Sequence, residues 1–282
     1  MSELIWLNGQ VMPLSDARIG VEDRGYQFAD GVYEVVRFYG GKLFTLTQHM
    51  DRLERSAAGI SLPMALPKSE LIDQINRFLP RTGLKEGMIY LQMTRGCSPR
   101  NHAFPECKGT LLFYARELPP VPEPGAAPGL TLISVLDERW SRCWIKSIAL
   151  LPNVLAKNAA IARGADEAVF VLDGNVSECC ASNFFAVSRG KVLTHPVGPK
   201  VLPGITRMVL LEVAKQVGVE VVERPVSEAE ALAADEVFIT STTRELAWVK
   251  TWNGRMIGRG ECGPVTLRLH QAFAQRVKAE TR

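Results

Sequence analysis

The chain has 282 residues, of which 46% are apolar and 22% charged, and its formal net charge is +3. This length allows one large domain or two of ordinary size, with a sizeable buried core. The charge is too small, and the arginines too scattered, to favour a nucleic-acid-binding protein. No apolar stretch approaches the ~18 residues that a membrane span needs. We therefore expect a globular protein without nucleic-acid or membrane partners.

Two further features bear on localisation. The first 13 residues lack the basic start and the long apolar run of a signal peptide. The six cysteines show no Cys-x-x-Cys spacing, and the adjacent Cys179 and Cys180 are too close for an unstrained mutual disulfide. A reducing cytoplasm is the predicted compartment, and no metal site is expected.

The N-terminal part of the chain alternates tight turns with amphipathic segments. Asn8-Gly9 and Gly40-Gly41 supply the positive φ angles of two-residue turns, so each predicts a hairpin. A helix is expected after Thr45, which forms a weak capping box with Gln48. The predicted strands lie at 5–7, 33–39, 42–46, 87–94 and 109–115, and a second helix lies near 68–79. Between the last two strands runs a long polar loop, 95–108.

Residues 119–129 are rich in proline, which forms neither a helix nor a central strand. They predict an interdomain linker between an N-terminal lobe at 1–118 and a C-terminal lobe at 130–282. The elements expected beyond the linker are strands at 130–136, around Lys146, at 167–172, 183–187, 192–194 and 236–239, and helices at 153–163, from Gly204, after Ser227 and at the end of the chain. Turns are expected at Asp173-Gly174, Arg189-Gly190 and Asn253-Gly254, and Ser227 should begin a capping box with Glu230. Strands outnumber helices and often pair through hairpins, which favours an α+β fold in two lobes over a doubly wound sheet.

Lys146 is the first candidate for chemistry. It follows Trp140, Trp144 and Ile145 and precedes an apolar run, 148–151, so we expect its amine to be desolvated. Burial lowers the pKa of a lysine and leaves free amine at neutral pH, as a Schiff-base nucleophile requires. A lysine at a strand edge more commonly keeps its ammonium in water, so the accompanying residues decide between these interpretations.

Two segments of the C-terminal half could hold an anion. Gly204-Ile205-Thr206 begins a predicted helix, whose unpaired amides and dipole suit a phosphate. Thr240-Ser241-Thr242-Thr243 leaves a predicted strand with hydroxyls and turn amides. An ordinary helix cap and a strand-end turn are the alternatives. Nucleotide binding is poorly supported, because the chain has neither a Walker loop nor Gly-x-Gly-x-x-Gly.

Glu178 and Tyr33 can each be interpreted in two ways. Glu178 could decorate the surface, or it could keep a pyridine nitrogen protonated if a Schiff-base lysine and a phosphate site lie nearby. Tyr33 could hydrogen-bond near such a ring, or it could fill the core.

Several motifs together resemble the fold-type IV pyridoxal-phosphate aminotransferases. In chain order they are DRGYQFADGVYE at 23–34, HMDRL at 49–53, TRG at 94–96, IKS at 145–147, GITR at 204–207 and TSTT at 240–243. The family includes D-amino-acid, branched-chain and aminodeoxychorismate-lyase members, and the likeness spans nearly the whole chain. It implies two lobes, each a β-sheet or barrel-like sheet with flanking helices, and a homodimer with shared active sites.

The resemblance also implies roles for particular residues. Lys146 is expected to form the Schiff base with pyridoxal 5′-phosphate, and Glu178 to face the pyridine nitrogen. The residues expected to hold the phosphate are Arg52, Ile205, Thr206, Ser241 and Thr242. The loop from Ser98 to His102 is similar to the loop of D-amino-acid transaminases whose arginine and histidine bind the substrate carboxylate, usually from the partner subunit. Arg100 and His102 are assigned to the substrate on this basis, with Tyr33 beside them.

The activity implied is ping-pong transamination between D-amino acids, such as D-alanine or D-glutamate, and 2-oxo acids, such as pyruvate or 2-oxoglutarate, with Lys146 moving the α-proton. A branched-chain L-amino-acid aminotransferase, an aminodeoxychorismate lyase and an (R)-amine transaminase share the scaffold and stay open as alternatives. A non-catalytic cofactor-binding protein is the alternative from another class. The preferred side chain and the direction of reaction do not follow from the sequence.

One segment departs from the family pattern. Relatives usually carry Gly or Thr and then a small hydroxyl residue after the glutamate, whereas this chain has Cys179, Cys180 and Ala181. We expect a hydrogen bond to the cofactor or substrate to be missing there, or to be replaced by a weak thiol.

Overall fold

The computed structural model describes residues 3–281, which form two compact units. The first unit comprises residues 3–120, Ile145–Ala149 and residue 281, and the second comprises Val121–Trp144 and Leu150–Glu280. Lys146 therefore belongs to the first unit, although it follows the proline-rich segment in the chain. The change of unit after residue 120 falls within 119–129, and the linker role of that segment stays a prediction.

The first unit is built on one six-stranded sheet. Its strands are β1 (Leu4–Leu7), β2 (Gln10–Pro13), β3 (Gly31–Tyr39), β4 (Lys42–Leu43), β5 (Gly87–Thr94) and β6 (Thr110–Glu117). Its helices are α1 (Arg24–Phe28), α2 (Leu46–Gly59) and α3 (Lys68–Thr82), with a 3-10 turn at Leu14–Asp16. The strand order is β2-β1-β6-β5-β3-β4, and neighbouring strands are antiparallel.

The turn residues of this unit behave as expected, whereas one helix cap does not. Both predicted hairpins are confirmed, because Asn8, Gly9, Gly40 and Gly41 all have positive φ. The capping box at Thr45 is wrong: Thr45 is left-handed, with φ 55°, and its hydroxyl donates to the carbonyl of its neighbour at 2.7 Å. This bend also ends the preceding strand three residues earlier than predicted.

The second unit contains a ten-stranded mixed sheet. Its strands are β7 (Leu130–Leu136), β8 (Glu167–Leu172), β9 (Asn175–Cys179), β10 (Asn183–Ser188), β11 (Lys191–Thr194), β12 (Val221–Glu223), β13 (Val226–Ser227), β14 (Glu236–Ser241), β15 (Glu245–Trp252) and β16 (Arg255–Met256). Its helices are α4 (Leu151–Ala162), α5 (Ile205–Gln216), α6 (Glu228–Leu232) and α7 (Pro264–Thr281). The order is β12-β11-β10-β14-β15-β7-β8-β9-β13, with β16 on β15.

Most local predictions for this unit are confirmed. The turns at 173–174, 189–190 and 253–254 all have positive φ. The side chain of Ser227 caps α6 by accepting a hydrogen bond from the Glu230 amide at 3.1 Å. The strand predicted around Lys146 is wrong, since that segment forms only an isolated bridge between Val32 and Ser147.

The mixture of helices with largely antiparallel sheets in two lobes confirms the α+β class. Among residues 3–281, no helix combines the length and apolar character that crossing a membrane requires.

The aromatic core of the first unit gives a stability prediction. Phe113 is fully buried, stacks on Trp6 with ring centroids 4.8 Å apart, and meets Phe78 edge-on at 5.2 Å. Phe113→Ala should lower the free energy of unfolding by about 3–5 kcal/mol, because it removes these contacts and leaves a cavity. Urea unfolding measures the change. Tyr26→Ala is the control, since Tyr26 is 83% exposed. Equal midpoints for the two variants would contradict the packing described.

Candidate active site

The backbone around Lys146 is fixed to strand β3. The Tyr33 amide donates to the Lys146 carbonyl at 3.0 Å, and the Ile148 amide donates to the Gly31 carbonyl at 3.1 Å. The Lys146 amide donates to Ser56 Oγ at 3.1 Å. Hydrogen bonds on both sides of the residue therefore hold its α-carbon in place.

The Lys146 side chain lies against an aromatic ring. Its Nζ is 4.3 Å from the Tyr33 ring centroid, a distance at which an ammonium is attracted to the ring face. The structure thus brings together two predicted site residues. The expected desolvation of Lys146 is only partial, because the residue is half-buried.

Beside Tyr33, the side chain of Glu34 is fully buried and bound by two residues of α2. Arg52 donates from Nε to Oε1 and from Nη2 to Oε2, both at 2.7 Å. His49 Nδ1 lies 2.8 Å from Oε2. His49 and Arg52 are three positions apart on the helix and so share a face. Arg52 is therefore engaged with a carboxylate, and its role toward a phosphate stays a prediction.

The charges of this cluster follow from its burial and its pairing. Burial alone would raise the pKa of Glu34, but the charges and hydrogen bonds of Arg52 and His49 hold that pKa far below its ordinary 4.5. Burial lowers the pKa of His49 below 6.5, and the positive charges of Arg52 and Lys146 add to this effect against the opposing effect of Glu34. His49 is therefore neutral at pH 7 and donates its Nδ1 hydrogen to Glu34.

Arg100 and His102 form a separate group in the first unit. Both are exposed, and both lie near Phe28: the Arg100 guanidinium carbon is 4.8 Å from the ring centroid, and the His102 ring is 5.5 Å away. Within residues 3–281, no hydrogen bond or ring contact connects Arg100 or His102 to Tyr33 or Lys146.

In the second unit, Glu178 is buried with donors around its carboxylate. Arg139 Nη1 donates to Oε1 at 2.6 Å. Oε2 accepts from Asn183 Nδ2 at 3.1 Å and from the Leu202 amide at 3.0 Å. Glu178 is only 5% exposed, so the alternative of surface decoration is wrong. These donors fix both oxygens of a buried anion.

Arg139 is itself held from several sides. Its Nε and Nη2 donate to the two carboxylate oxygens of Asp137 at 3.0 and 2.8 Å, and its guanidinium lies over the Phe170 ring at 4.1 Å. Burial alone would raise the pKa of Asp137, but hydrogen bonds and charge from Arg139 lower it. Burial opposes the charge of Arg139, yet Asp137 and Glu178 together raise its pKa. Asp137 and Arg139 are therefore both ionised at neutral pH.

Asn183 connects Glu178 to the two predicted anion sites. Besides bonding Glu178, its Nδ2 donates to the Leu202 carbonyl at 2.9 Å, just before α5. A side chain at Gly204 would place its Cβ 2.0 Å from Asn183 Oδ1, so this position requires glycine. Asn183 also pairs with Thr240 across β10 and β14. The start of α5 and the end of β14 thus lie on either side of one asparagine.

The predicted phosphate residues of this unit lie at those two ends. Ile205 and Thr206 are buried in the first turn of α5, and Gly204 makes no side-chain cap there. Ser241, the last residue of β14, and Thr242 after it are half-buried, and Ser241 Oγ accepts from the Arg244 amide at 3.3 Å. Thr240 Oγ1 is buried and has no hydrogen-bond partner among residues 3–281. The unit therefore gathers amides and hydroxyls suited to an anion.

The cysteines that follow Glu178 turn inward. Both are buried, and the Cys180 thiol donates to the buried carboxylate of Glu167. Burial, reinforced by the negative charge of Glu167, raises the pKa of Cys180 to about 12 and that of Cys179 well above 9.0. Both thiols are therefore protonated and poor nucleophiles at neutral pH.

Several residues that orient the predicted site residues were not predicted from the sequence. These residues are Glu34, His49, Asp137, Arg139 and Asn183. Glu34 and His49 lie inside motifs that carry the family resemblance, and this position could have indicated their role at the site. The pairing of Arg139 with Glu178 spans 39 positions and has no local pattern to reveal it.

The comparisons with known proteins define the class of this protein. Residues 31–252 match the model of the family described as amino-transferase class IV, so the chain belongs to this family. The predicted family resemblance is confirmed.

Particular relatives resemble the chain over nearly its whole length. It is 42% identical over 277 residues to a D-alanine aminotransferase of Listeria monocytogenes serotype 1/2a (strain 10403S), which covers 97% of this chain and 96% of that one. It is 40% identical to a D-alanine aminotransferase of Bacillus licheniformis, covering 98% of each. A branched-chain amino acid aminotransferase of T.th., solved with pyridoxamine 5′-phosphate, has TM-score 0.92 and 28% identity, covering 99% of this chain and 95% of that one.

The Glu34 cluster predicts a pH-dependent stability difference. Glu34→Gln should lower the free energy of unfolding at pH 7 by about 3–5 kcal/mol, because Arg52 loses the charge that compensates its burial. Since the folded-state pKa of Glu34 is lowered, its stabilisation is present above about 4.5 and is lost as the pH falls below that value. Urea unfolding of wild type and variant at pH 7, where Glu34 is charged and His49 is neutral, measures this difference.

Glu54→Gln is the matched control on the same helix, because Glu54 pairs with Lys68 at the surface. Its effect should stay below about 1 kcal/mol. A loss for Glu34→Gln at pH 7 that is as small as that of the control would contradict the assigned ion pair.

Proposed function

We propose that the protein is a pyridoxal-phosphate-dependent transaminase that moves the amino group between D-amino acids, such as D-alanine or D-glutamate, and 2-oxo acids, such as pyruvate or 2-oxoglutarate. Relatives named D-alanine aminotransferase support this choice with 36–42% identity over nearly the whole chain. Structural relatives named branched-chain aminotransferase are 26–28% identical. The single observation that carries the D-amino-acid assignment is the grouping of Arg100 and His102 on one loop against Phe28.

The residues present fit pyridoxal 5′-phosphate. Glu178 is a buried carboxylate of the kind that pairs with a protonated pyridine nitrogen. The start of α5, which has no side-chain cap, and the hydroxyls at the end of β14 fit a phosphate. The buried Thr240 Oγ1 lies at that strand end and has no hydrogen-bond partner in the described part of the chain. When bound, this cofactor supplies a ring that withdraws electrons from the substrate α-carbon and makes its proton acidic.

Lys146 would carry the cofactor and move the proton. Its amine would attach to the cofactor's aldehyde with loss of water, and once displaced by the substrate amine it would act as the general base at the α-carbon. The hydrogen bonds that fix its backbone to β3 limit where Nζ can reach. The Lys146 side chain can then take the substrate's α-proton and return it while the α-carbon of Lys146 stays in place.

The other proposed site residues bind and orient. Glu178 would hold a fixed negative charge opposite the ring nitrogen, because Arg139 and Asn183 leave its carboxylate little freedom. The phosphate would be held by Arg52, Ile205, Thr206, Ser241 and Thr242. Tyr33 would line the substrate side beside Lys146, whose amine it already contacts.

Arg100 and His102 would set the handedness of the substrate. A guanidinium can bind a carboxylate through two parallel hydrogen bonds, which orients it as well as attracting it. Once the carboxylate is held, only one face of the α-carbon is presented to the catalytic amine, and D-amino acids are selected. An amine substrate without a carboxylate would make no use of these residues, which counts against an amine transaminase.

We also infer a homodimer in which these two residues serve the partner subunit. Their lack of contact with Lys146 or Tyr33 in their own chain supports this inference. Helix α4 exposes apolar side chains at positions three, four and seven apart, which lie on one face of a helix. They are Leu151, Val154, Leu155 and Ile161, between 51% and 68% exposed. A contiguous apolar patch of this kind marks an interaction surface. The free cysteines fit the reducing cytoplasm proposed for the protein.

The assignment of Lys146 predicts a covalent label. Borohydride reduction followed by peptide mass mapping should place the pyridoxyl group on Lys146. Lys146→Ala should lose turnover by orders of magnitude, because one side chain is both tether and base. Lys157→Ala is the control and should keep most of the activity, since Lys157 Nζ donates to a backbone carbonyl in its own unit. A label on Lys157 would overturn the assignment.

The assignment of Arg100 predicts a change in substrate affinity. Arg100→Ala should raise the KM for D-alanine at least about tenfold, which corresponds to about 1.4 kcal/mol, without changing cofactor affinity. Arg18→Ala should change neither, because the exposed Arg18 bonds only carbonyls of its own turn. Mixing Arg100→Ala with Lys146→Ala chains should restore activity in heterodimers, where one site has both residues. Unchanged KM values would remove the basis for the D-amino-acid assignment.

A further inference from the structure

The loop that carries Arg100 and His102 is exposed, yet the residues beneath it are not. Residues 97–108 are mostly exposed, whereas Arg24, the first residue of α1, is only 4% exposed. A polar loop in water would sample many conformations, and ordering it on substrate binding would cost conformational entropy. Contacts of Arg24 and Phe28 that order this loop beforehand therefore reduce the entropy cost of binding a carboxylate.

Arg24 holds the backbone of the loop at three successive residues. Its Nη1 donates to the carbonyls of Asn101 at 2.5 Å and Ala103 at 3.3 Å, and its Nη2 lies 3.5 Å from the carbonyl of His102. Its Nε donates to Asp30 Oδ2 at 2.8 Å. The planar guanidinium thus connects the loop to the start of β3 with donors in a fixed geometry.

Asp30 is shared with a second arginine at the base of the loop. Arg95 donates to Asp30 Oδ2 from Nε at 2.8 Å and to Oδ1 from Nη2 at 3.0 Å. Burial would raise the pKa of Asp30, but Arg95 and Arg24 together lower it, so the carboxylate is ionised at neutral pH. Arg95 therefore still neutralises Asp30 if Arg24 is replaced by a shorter residue. For this reason we expect a variant of Arg24 to fold.

Phe28 holds the side chains of the loop. The guanidinium carbons of Arg24 and Arg100 are each 4.8 Å from its ring centroid, and the His102 ring is 5.5 Å away. Helix α1 ends directly after Phe28, at Ala29, whose φ of 54° is left-handed. This conformation is costly for alanine, and residues held in it cluster at functional sites.

We propose that Arg24 and Phe28 are positioning residues that hold Arg100 and His102 in a preformed arrangement for the carboxylate of an α-amino acid. Arg24 fixes the backbone of the loop, and Phe28 orients the two side chains. This inference rests on the proposed function, because it takes the carboxylate of the substrate as the ligand of Arg100 and His102. Neither residue contacts the reacting atoms, so their effect should be on substrate affinity and not on the chemical step.

Arg24→Lys and Phe28→Leu separate the two parts of the proposal. Lysine keeps the positive charge beside Asp30, but it lacks the planar guanidinium whose donors reach three backbone carbonyls at once. Leucine keeps the apolar volume of Phe28 but removes the ring that attracts Arg100. Each variant should raise the KM for D-alanine about fivefold to tenfold, with kcat changed less than about twofold and cofactor affinity unchanged.

The matched controls change the same residue types away from these contacts. Arg18→Lys alters an arginine that also donates to backbone carbonyls, those of Ser15 and Ala17. Phe104→Leu alters an aromatic of the same loop that lies over Arg95, at 3.7 Å, instead of over Arg100. Both controls should keep the wild-type KM within about twofold. Thermal unfolding of every variant shows whether it is folded.

Hydrogen exchange of the holoenzyme gives a second measurement that does not depend on substrate. Faster exchange of the amides at 101–104 in Arg24→Lys, together with the raised KM, supports the inference. Wild-type KM values in folded Arg24→Lys and Phe28→Leu, while Arg100→Ala raises the KM, overturn the inference and leave the proposed function standing. An unchanged KM in Arg100→Ala overturns the proposed function itself, and the functional part of the inference with it.

Discussion

The structure depends on the cost of burying a carboxylate. An ionised carboxylate loses several kcal/mol of hydration in the protein interior, so it must be paired and hydrogen-bonded there. Glu34 in the first unit and Glu178 in the second are both at most 5% exposed, and each is bound by a guanidinium. In both cases further donors complete the pairing: His49 for Glu34, and Asn183 with the Leu202 amide for Glu178.

These pairings explain how each unit positions its candidate functional groups. Glu34 ties α2 to β3 beside Tyr33, and the backbone of Lys146 is bonded to the same strand. Glu178 ties Arg139 to Asn183, and Asn183 lies between the start of α5 and the end of β14. A charge that must be satisfied in the interior therefore also fixes the neighbouring residues. Loss of one partner should disturb function as well as stability.

Local signals in the sequence predict much of this fold. Turn pairs such as Asn8-Gly9 and Asn253-Gly254 identify hairpins because few residues adopt positive φ without strain. Ser227 identifies the start of α6 by its side-chain bond to a backbone amide. The same reasoning is wrong at Thr45, where a left-handed conformation replaces the expected cap and only the packing of the folded chain decides between them.

The family resemblance predicted the residues that would contact the cofactor or the substrate. It did not predict most of the residues that orient them. Arg139 lies 39 positions from Glu178, and Arg24 lies 77 positions from Asn101. Such pairs form only when the topology brings distant segments together, so periodicity and spacing carry no sign of them. The segment around Lys146 shows the same limit, because its apolar neighbours predicted a strand whereas its backbone bonds to β3 without forming one.

The central claim is transamination of D-amino acids, and the visible absorption band of the cofactor tests it most directly. The purified holoenzyme is mixed with D-alanine or with L-alanine, in each case without a 2-oxo acid, so that only the first half-reaction can occur. We expect D-alanine to shift the band and to release pyruvate in proportion to the enzyme, whereas L-alanine at the same concentration should leave the band unchanged. A band shifted by L-alanine and not by D-alanine would contradict the assignment of substrate handedness, and a band that neither amino acid shifts would contradict the assignment of D-alanine as a substrate.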